Sequence, residues 1–237
     1  MRYLATAISL LALAACSSGG RVDPVYSAVG GALLEATGIR GEGGGEGGGG
    51  GQPRGQRLTR ASIEASGLAM IRIRVGEEEG FNIMLASAKN GPYLTHVSKF
   101  QQSVTLNGGW VTGTRGIGHD LMSATSSKND PVKGQMPPGQ WEAQKIEREY
   151  EFPGVGPAGR RVRVDCSFEA MDQGEITIVE RSYSTVRFIE TCEGEEITFQ
   201  NTYFVDGRGS VWRSRQWIGW RLPPLDVDIL EPYTGSR

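Results

Sequence analysis

Met70-Ile71-Arg72-Ile73-Arg74-Val75 alternates apolar and charged residues one by one. Successive side chains of a pleated strand leave opposite faces, so this stretch sends Ile71, Ile73 and Val75 to a core and Arg72 and Arg74 to water. Similar strand-like runs follow at residues 81–87, 93–98, 103–106 and 110–114. Turn chemistry separates them, as in Lys89-Asn90-Gly91-Pro92 and Asn107-Gly108-Gly109, and the series predicts an antiparallel meander. Just upstream, Thr59 is placed as the N-cap of a short helix, with Leu58 set to staple against Ile63.

Further along, residues 123–139 are polar and carry Pro131, Pro137 and Pro138, which predicts a loop joining two β parts. Residues 141–151 suit a strand or a short helix. In residues 161–168 the alternation is clean, with Val162, Val164, Cys166 and Phe168 on one face. Strand signals continue at 175–180, 184–191, 195–204 and 211–218, and Val186 and Phe188 of the second share a face with Cys192 just beyond it. The expected architecture is mainly β, antiparallel sheets forming a sandwich or open barrel, with short helices near the N-terminus.

The N-terminus reads as an export signal. Arg2 supplies a positive start and residues 8–13 a short apolar run, too short to span a bilayer. Leu13-Ala14-Ala15-Cys16 then follows the lipobox pattern, in which small residues fit the signal peptidase and the Cys16 thiol receives a diacylglycerol. Several acyl chains on one residue anchor a protein without a transmembrane helix. Aspartate directly after the lipidated cysteine marks inner-membrane retention; Ser17 stands there, so a periplasm-facing outer-membrane location is expected. This divides the chain into a signal peptide (residues 1–15), a lipid-anchored tether with a glycine-rich linker (16–57) and a β domain (58–237), with a sub-boundary near 124–140. Within the tether, Val25, Val29, Ala32, Leu33 and Ala36 recur at helical spacing. The glycine run over residues 41–51 lacks the Gly-Lys-Ser/Thr of a phosphate loop, so no cofactor is expected from it.

Three cysteines less the lipidated one leave Cys166 and Cys192, whose parity lets both enter one core and form a disulfide in an oxidising periplasm. Two buried free thiols are the alternative. A net charge of −2 makes nucleic acid a poor partner.

Three stretches carry a resemblance. Leu58-Thr59-Arg60-Ala61, residues 110–123 (WVTGTRGIGHDLMS) and residues 211–219 (VWRSRQWIG) resemble the YjbF family of lipoproteins, also called the group 4 capsule lipoprotein or GfcB family. The resemblance runs from about Leu58 to Leu230. It implies an all-β envelope lipoprotein encoded with exopolysaccharide or capsule export components, including an outer-membrane β-barrel protein, and it brings no catalytic residues with it.

Residues 113–120 (GTRGIGHD) hold one of the two histidines. His119 and Asp120 are neighbours that point apart on a turn, which speaks against a catalytic triad; a structural turn is expected, with Asp120 capping a short helix at Leu121-Met122 and Arg115 pairing with Asp120. His96 and His119 lack metal-ligand spacing, so no metal is expected. Strict alternation in Trp212-Arg213-Ser214-Arg215-Gln216-Trp217 puts Arg213, Arg215 and Trp217 on one face and Trp212, Ser214 and Gln216 on the other. Trp110, Arg115, His119, Asp120, Arg213, Arg215 and Trp217 together form the candidate binding surface, for acidic polysaccharide or a partner protein. The expected role is non-enzymatic assistance of exopolysaccharide or capsule secretion. A polysaccharide hydrolase or lyase would need two carboxylates across a cleft, and a lipid or lipoprotein carrier an apolar cavity.

Overall fold

The computed structural model describes residues 58–77, 80–134, 136–154 and 159–235. Cys16 and its lipobox, the expected helix around residues 25–36 and the glycine linker lie outside the described residues.

Helix α1 (Arg60–Ser66) opens the domain. Thr59 caps it by accepting from the Ser62 N–H, Ser62 returns the bond to the Thr59 N–H, and Gly67 ends it in the left-handed region at φ 63°. Twelve strands follow: β1 (Met70–Val75), β2 (Asn82–Asn90), β3 (Tyr93–Ser98), β4 (Ser103–Asn107), β5 (Trp110–Arg115), β6 (Ser123–Ser126), β7 (Lys145–Phe152), β8 (Arg160–Ile178), β9 (Arg181–Glu193), β10 (Thr198–Val205), β11 (Val211–Gln216) and β12 (Leu225–Glu231).

All twelve belong to one antiparallel sheet in the order β5-β4-β3-β2-β1-β12-β11-β10-β9-β8-β7-β6. The first and last strands of the chain pair in its middle, and its two edges, β5 and β6, are consecutive in sequence. Residues 116–122 tie those edges together, so the sheet has to curl into a nearly closed barrel. The seam is sewn by Thr114 N–H to Leu121 O (2.9 Å) and by the Arg115 guanidinium on the carbonyls of Leu121 and Met122 (3.0 and 3.1 Å), while Met122 N–H to Glu151 O (2.8 Å) extends the β6–β7 ladder. Of the two expected architectures, the barrel is the one formed.

Two sequence expectations change here. The polar stretch near 124–140 does not join two β parts, because strands on both sides of it share the single sheet. It contributes the short strand β6 and then enters the barrel, burying Asp130, Val132 and Trp141. The runs at 161–168 and 175–180 are one strand, β8, bent where its register with β9 shifts between Ala170 and Gln173.

The inward faces fill with side chains. Trp141 stacks on Phe188 at 4.8 Å and meets Phe168 edge-on at 5.4 Å; Tyr150 meets Trp110 and Trp217 edge-on at 6.1 and 5.3 Å. A second, smaller cluster lies on the opposite face of the sheet, where Ile63 of α1 packs with Met70, Leu230, Ile178 and Tyr183. The tip of the β8–β9 hairpin reaches this cluster, and Tyr183 stacks there on Trp212 at 4.0 Å. Leu58 joins the cluster beside Ile63, as the staple reading requires.

Candidate functional site

Strand β7 reads Lys-Ile-Glu-Arg-Glu-Tyr-Glu-Phe, and its inward parity carries Ile146, Arg148, Tyr150 and Phe152. Arg148 is thereby a charge on an apolar face, with no exposed side-chain surface. Its Nη2 lies 2.9 Å from Glu190 Oε1 on β9 and 3.0 Å from Asp130 Oδ2 on the inserted loop, and its Cζ sits 4.4 Å from the centroid of the Trp110 ring. Glu190 Oε2 accepts from Asn201 Nδ2 at 2.8 Å and from the Tyr203 hydroxyl at 2.9 Å. Asn201 Oδ1 in turn accepts the Trp217 N–H at 2.6 Å.

Burial works against charge on Arg148, yet Glu190 and Asp130 carry its pKa well above the ordinary guanidinium range, and it stays cationic. Glu190 moves up from the usual carboxylate range, because burial and the nearby Asp130 charge outweigh what Arg148, Asn201 and Tyr203 return. Burial pushes the Tyr150 phenol up to about 12.

One register step away, Cys166 and Cys192 face each other across β8 and β9 and form a disulfide, their Cα atoms 4.1 Å apart. The sulfurs and a Glu190 carboxylate oxygen lie within 4.8 Å of one another, but sulfurs joined in a disulfide are not thiolate ligands.

A second constellation lies on the outer face of β1, β12 and β11. Strand β12 presents Asp226 and Asp228 outward, alternating with Leu225, Val227 and Ile229, which face in. Its neighbours present Arg72 and Arg74 on β1 and Arg213 and Arg215 on β11, directly opposite in register. Asp228 is held by Arg72 at 2.6 Å and by Arg213 at 2.6 Å; Asp226 is held by Arg74 at 2.8 Å and by Arg215 at 3.1 Å. Phe81, the residue before β2, packs against the arginines of β1, with the Arg72 Cζ 4.2 Å from its centroid. The alternation of β12 is the sequence signal for this ladder.

The residues expected to form one binding surface are spread over three places. Trp110 is in the core, 2 % exposed. Arg115 and Asp120 sit at the seam but do not pair with each other: Asp120 accepts from the N–H groups of Gly116 (2.8 Å) and Ile117 (3.1 Å) and from the Thr114 hydroxyl (3.0 Å), while Arg115 serves the carbonyls across the seam. Asp120 thus caps the turn that precedes it, and Leu121-Met122 begins no helix. His119 packs beside Phe152 and Trp220 at 6.0 and 5.9 Å.

Arg213 and Arg215 face outward as expected, but the tryptophans beside them exchange sides. A register shift pairs Val205 with Val211 and Phe204 with Arg213, leaving Trp212 as the extra residue that turns outward to Tyr183. Beyond Gln216 the strand ends, and Trp217 turns inward to stack on Phe199 at 4.3 Å.

Residues 38–230 match the family described as group 4 capsule polysaccharide lipoprotein GfcB, YjbF. No curated protein matches the chain in sequence. Among solved structures, the chain is similar to the hypothetical lipoprotein YmcC from Escherichia coli K12, with a TM-score of 0.64, 17% identity, and 74% of this chain and 90% of that one covered. A putative exported protein with a YmcC-like fold from Bacteroides fragilis aligns at a TM-score of 0.35 and 7% identity over 69% of this chain and 93% of that one. Among the described residues no helix is long and apolar enough to cross a membrane. The chain belongs to the group 4 capsule polysaccharide lipoprotein family.

Proposed function

We propose, with that membership as premise, that the protein is a non-enzymatic docking or binding module assisting capsule or exopolysaccharide secretion and assembly. It is held to the periplasmic face of the outer membrane by acyl chains on Cys16. The observation that carries the binding role is the outer ladder, arginine pairs on the two strands that flank β12, each partly exposed to solvent. Its partners are the polysaccharide itself and an outer-membrane β-barrel export protein.

Two other readings meet physical obstacles. A glycoside hydrolase or lyase needs carboxylates that a sugar can reach. Asp130 and Glu190 do converge, but both are sealed from solvent and bridged by Arg148, so a sugar does not reach this pair. A lipid or lipoprotein carrier needs an apolar cavity, whereas Trp110, Trp141, Tyr150, Phe152 and Phe188 occupy the barrel interior.

Crosslinking in intact envelopes, followed by affinity recovery of the lipidated chain, tests the assignment: an export barrel or capsular polymer should be recovered with it. Recovery of neither sinks the secretion role. Mass spectrometry of the mature N-terminus tests the anchor independently, with a diacylglyceryl-modified Cys16 as the expected first residue.

A further inference from the structure

We infer that the outer face of β1, β12 and β11 is a binding site for a carboxylate-bearing polysaccharide, and that the acidic residues of β12 serve as its internal spacer. This rests on the binding-module reading above and names its ligand class.

The charge count at the ladder is uneven. Among the described residues, Arg72, Arg74, Arg213 and Arg215 have Asp226 and Asp228 as their acidic partners, an excess of two positive charges within the ladder, while Glu231 at the end of β12 is taken by Arg60 of α1. Here each carboxylate lies between two arginines and holds both in place, so that part of their conformational entropy is already lost before a ligand arrives.

The arginines remain open. Their side chains keep 19, 36, 32 and 42 % exposure in the order Arg72, Arg74, Arg213, Arg215, and each guanidinium has five donors of which the aspartates use only some. Arginines two residues apart on one strand stand about 6.7 Å apart along it, so each flanking strand offers a pair of forks in line. Planar forks suit carboxylates, which they can grip with two parallel bonds. An extended polymer with regularly spaced carboxylates engages such a row at several points, which raises its affinity over that of a single sugar acid.

A membrane surface fits less well. Peripheral membrane binding combines basic residues with apolar side chains that enter the lipid, whereas Phe81 packs against the Arg72 and Arg74 guanidiniums at 4.2 and 5.2 Å and Trp212 against Tyr183 at 4.0 Å.

The test uses the full-length chain in uncharged detergent and measures binding to polygalacturonate, to neutral dextran and to phosphatidylglycerol vesicles. Binding to polygalacturonate that weakens with added salt is expected, with none to dextran. Arg215→Gln should weaken it by about tenfold, the loss of one charge-assisted contact. Asp226→Asn should act in the opposite direction, tightening binding by about threefold although it removes two ion pairs from the fold. No purely structural role for the ladder predicts that opposite sign. Equal binding by all variants, equal binding of dextran, or binding confined to the vesicles overturns the assignment. Should the wild-type chain bind no polyanion while crosslinking still recovers an export barrel, this site is wrong and the secretion role stands.

Discussion

Inside the barrel one arginine meets two carboxylates, and on its outer face each carboxylate meets two arginines. The same pair of functional groups does opposite work in the two places. Arg148, Asp130 and Glu190 have no exposed side-chain surface, so their attraction is unscreened and their desolvation large. They tie the inserted loop, β7 and β9 to one another. The arginines on Asp226 keep 36 and 42 % exposure, so their pairing contributes little to stability while leaving donors for something else; Asp228 is more deeply set. Burial decides the energy of an ion pair, and stoichiometry decides which sign of charge is left over.

The sharpest way to break this contrast is to remove the interior arginine. Arg148→Met leaves two buried carboxylates facing each other, and should cost about 3–5 kcal/mol, read as a fall of roughly 10 °C in Tm for a domain of this size. Glu190→Gln removes an acid that the interior holds in excess, leaves Arg148 paired with Asp130, and should cost much less. Equal losses in the two variants would mean that the cluster acts through packing and not through charge.

Next in size is the disulfide. Cys166 and Cys192 are 26 residues apart, and in the chain-entropy model replacing both by serine should lower unfolding stability by about 3 to 4 kcal/mol. Denaturation in urea with and without reductant checks this. The effect of reductant should vanish in the double variant.

The interior also holds a proton switch with a defined direction. His96 is 2 % exposed on β3, and burial lowers its pKa from 6.5 to about 4. Unfolded chain takes up this proton near pH 6.5, folded chain only near pH 4, so the unfolded state binds more protons in between and stability falls as pH is lowered through that window. The loss reaches about 3 kcal/mol at most. In His96→Gln the decline between those two pH values should flatten.

How much of this could be read from the sequence follows the same division between faces. Apolar alternation located β1, β3, β4 and β5 within a residue or two of their ends, because each has one dry face. Cys166 and Cys192 were placed on inward parities by the same rule, and they pair. Strand β12 was missed because Pro223-Pro224 precedes it and two aspartates interrupt its apolar residues, although Leu225-Asp226-Val227-Asp228 alternates as cleanly as β1. Trp212 and Trp217 were put on the wrong sides because an extra residue and a strand end, invisible to parity, turn them. Arg148 and Glu190 stood on inward positions in plain view, as charges among Ile146, Tyr150, Phe188 and Cys192. Their common partner Asp130 lies in a proline-bearing loop without periodicity, and which way such a loop folds is decided by tertiary contacts alone.

The outer ladder should give the smallest stability change and the clearest test of the contrast. Arg215 is 42 % exposed and Asp226 17 %, so Arg215→Gln should shift unfolding stability by less than about 1 kcal/mol, and raising the salt should shrink even that. If Arg215→Gln instead destabilised the domain as strongly as Arg148→Met, the ladder would be part of the fold's own frame. Its excess charge would then have a structural purpose, and the division between a sealed interior cluster and an open outer row would fail. A change near zero, found in the same variant that loses polyanion binding, separates the two roles: Arg215 would be dispensable to folding and retained for what it holds.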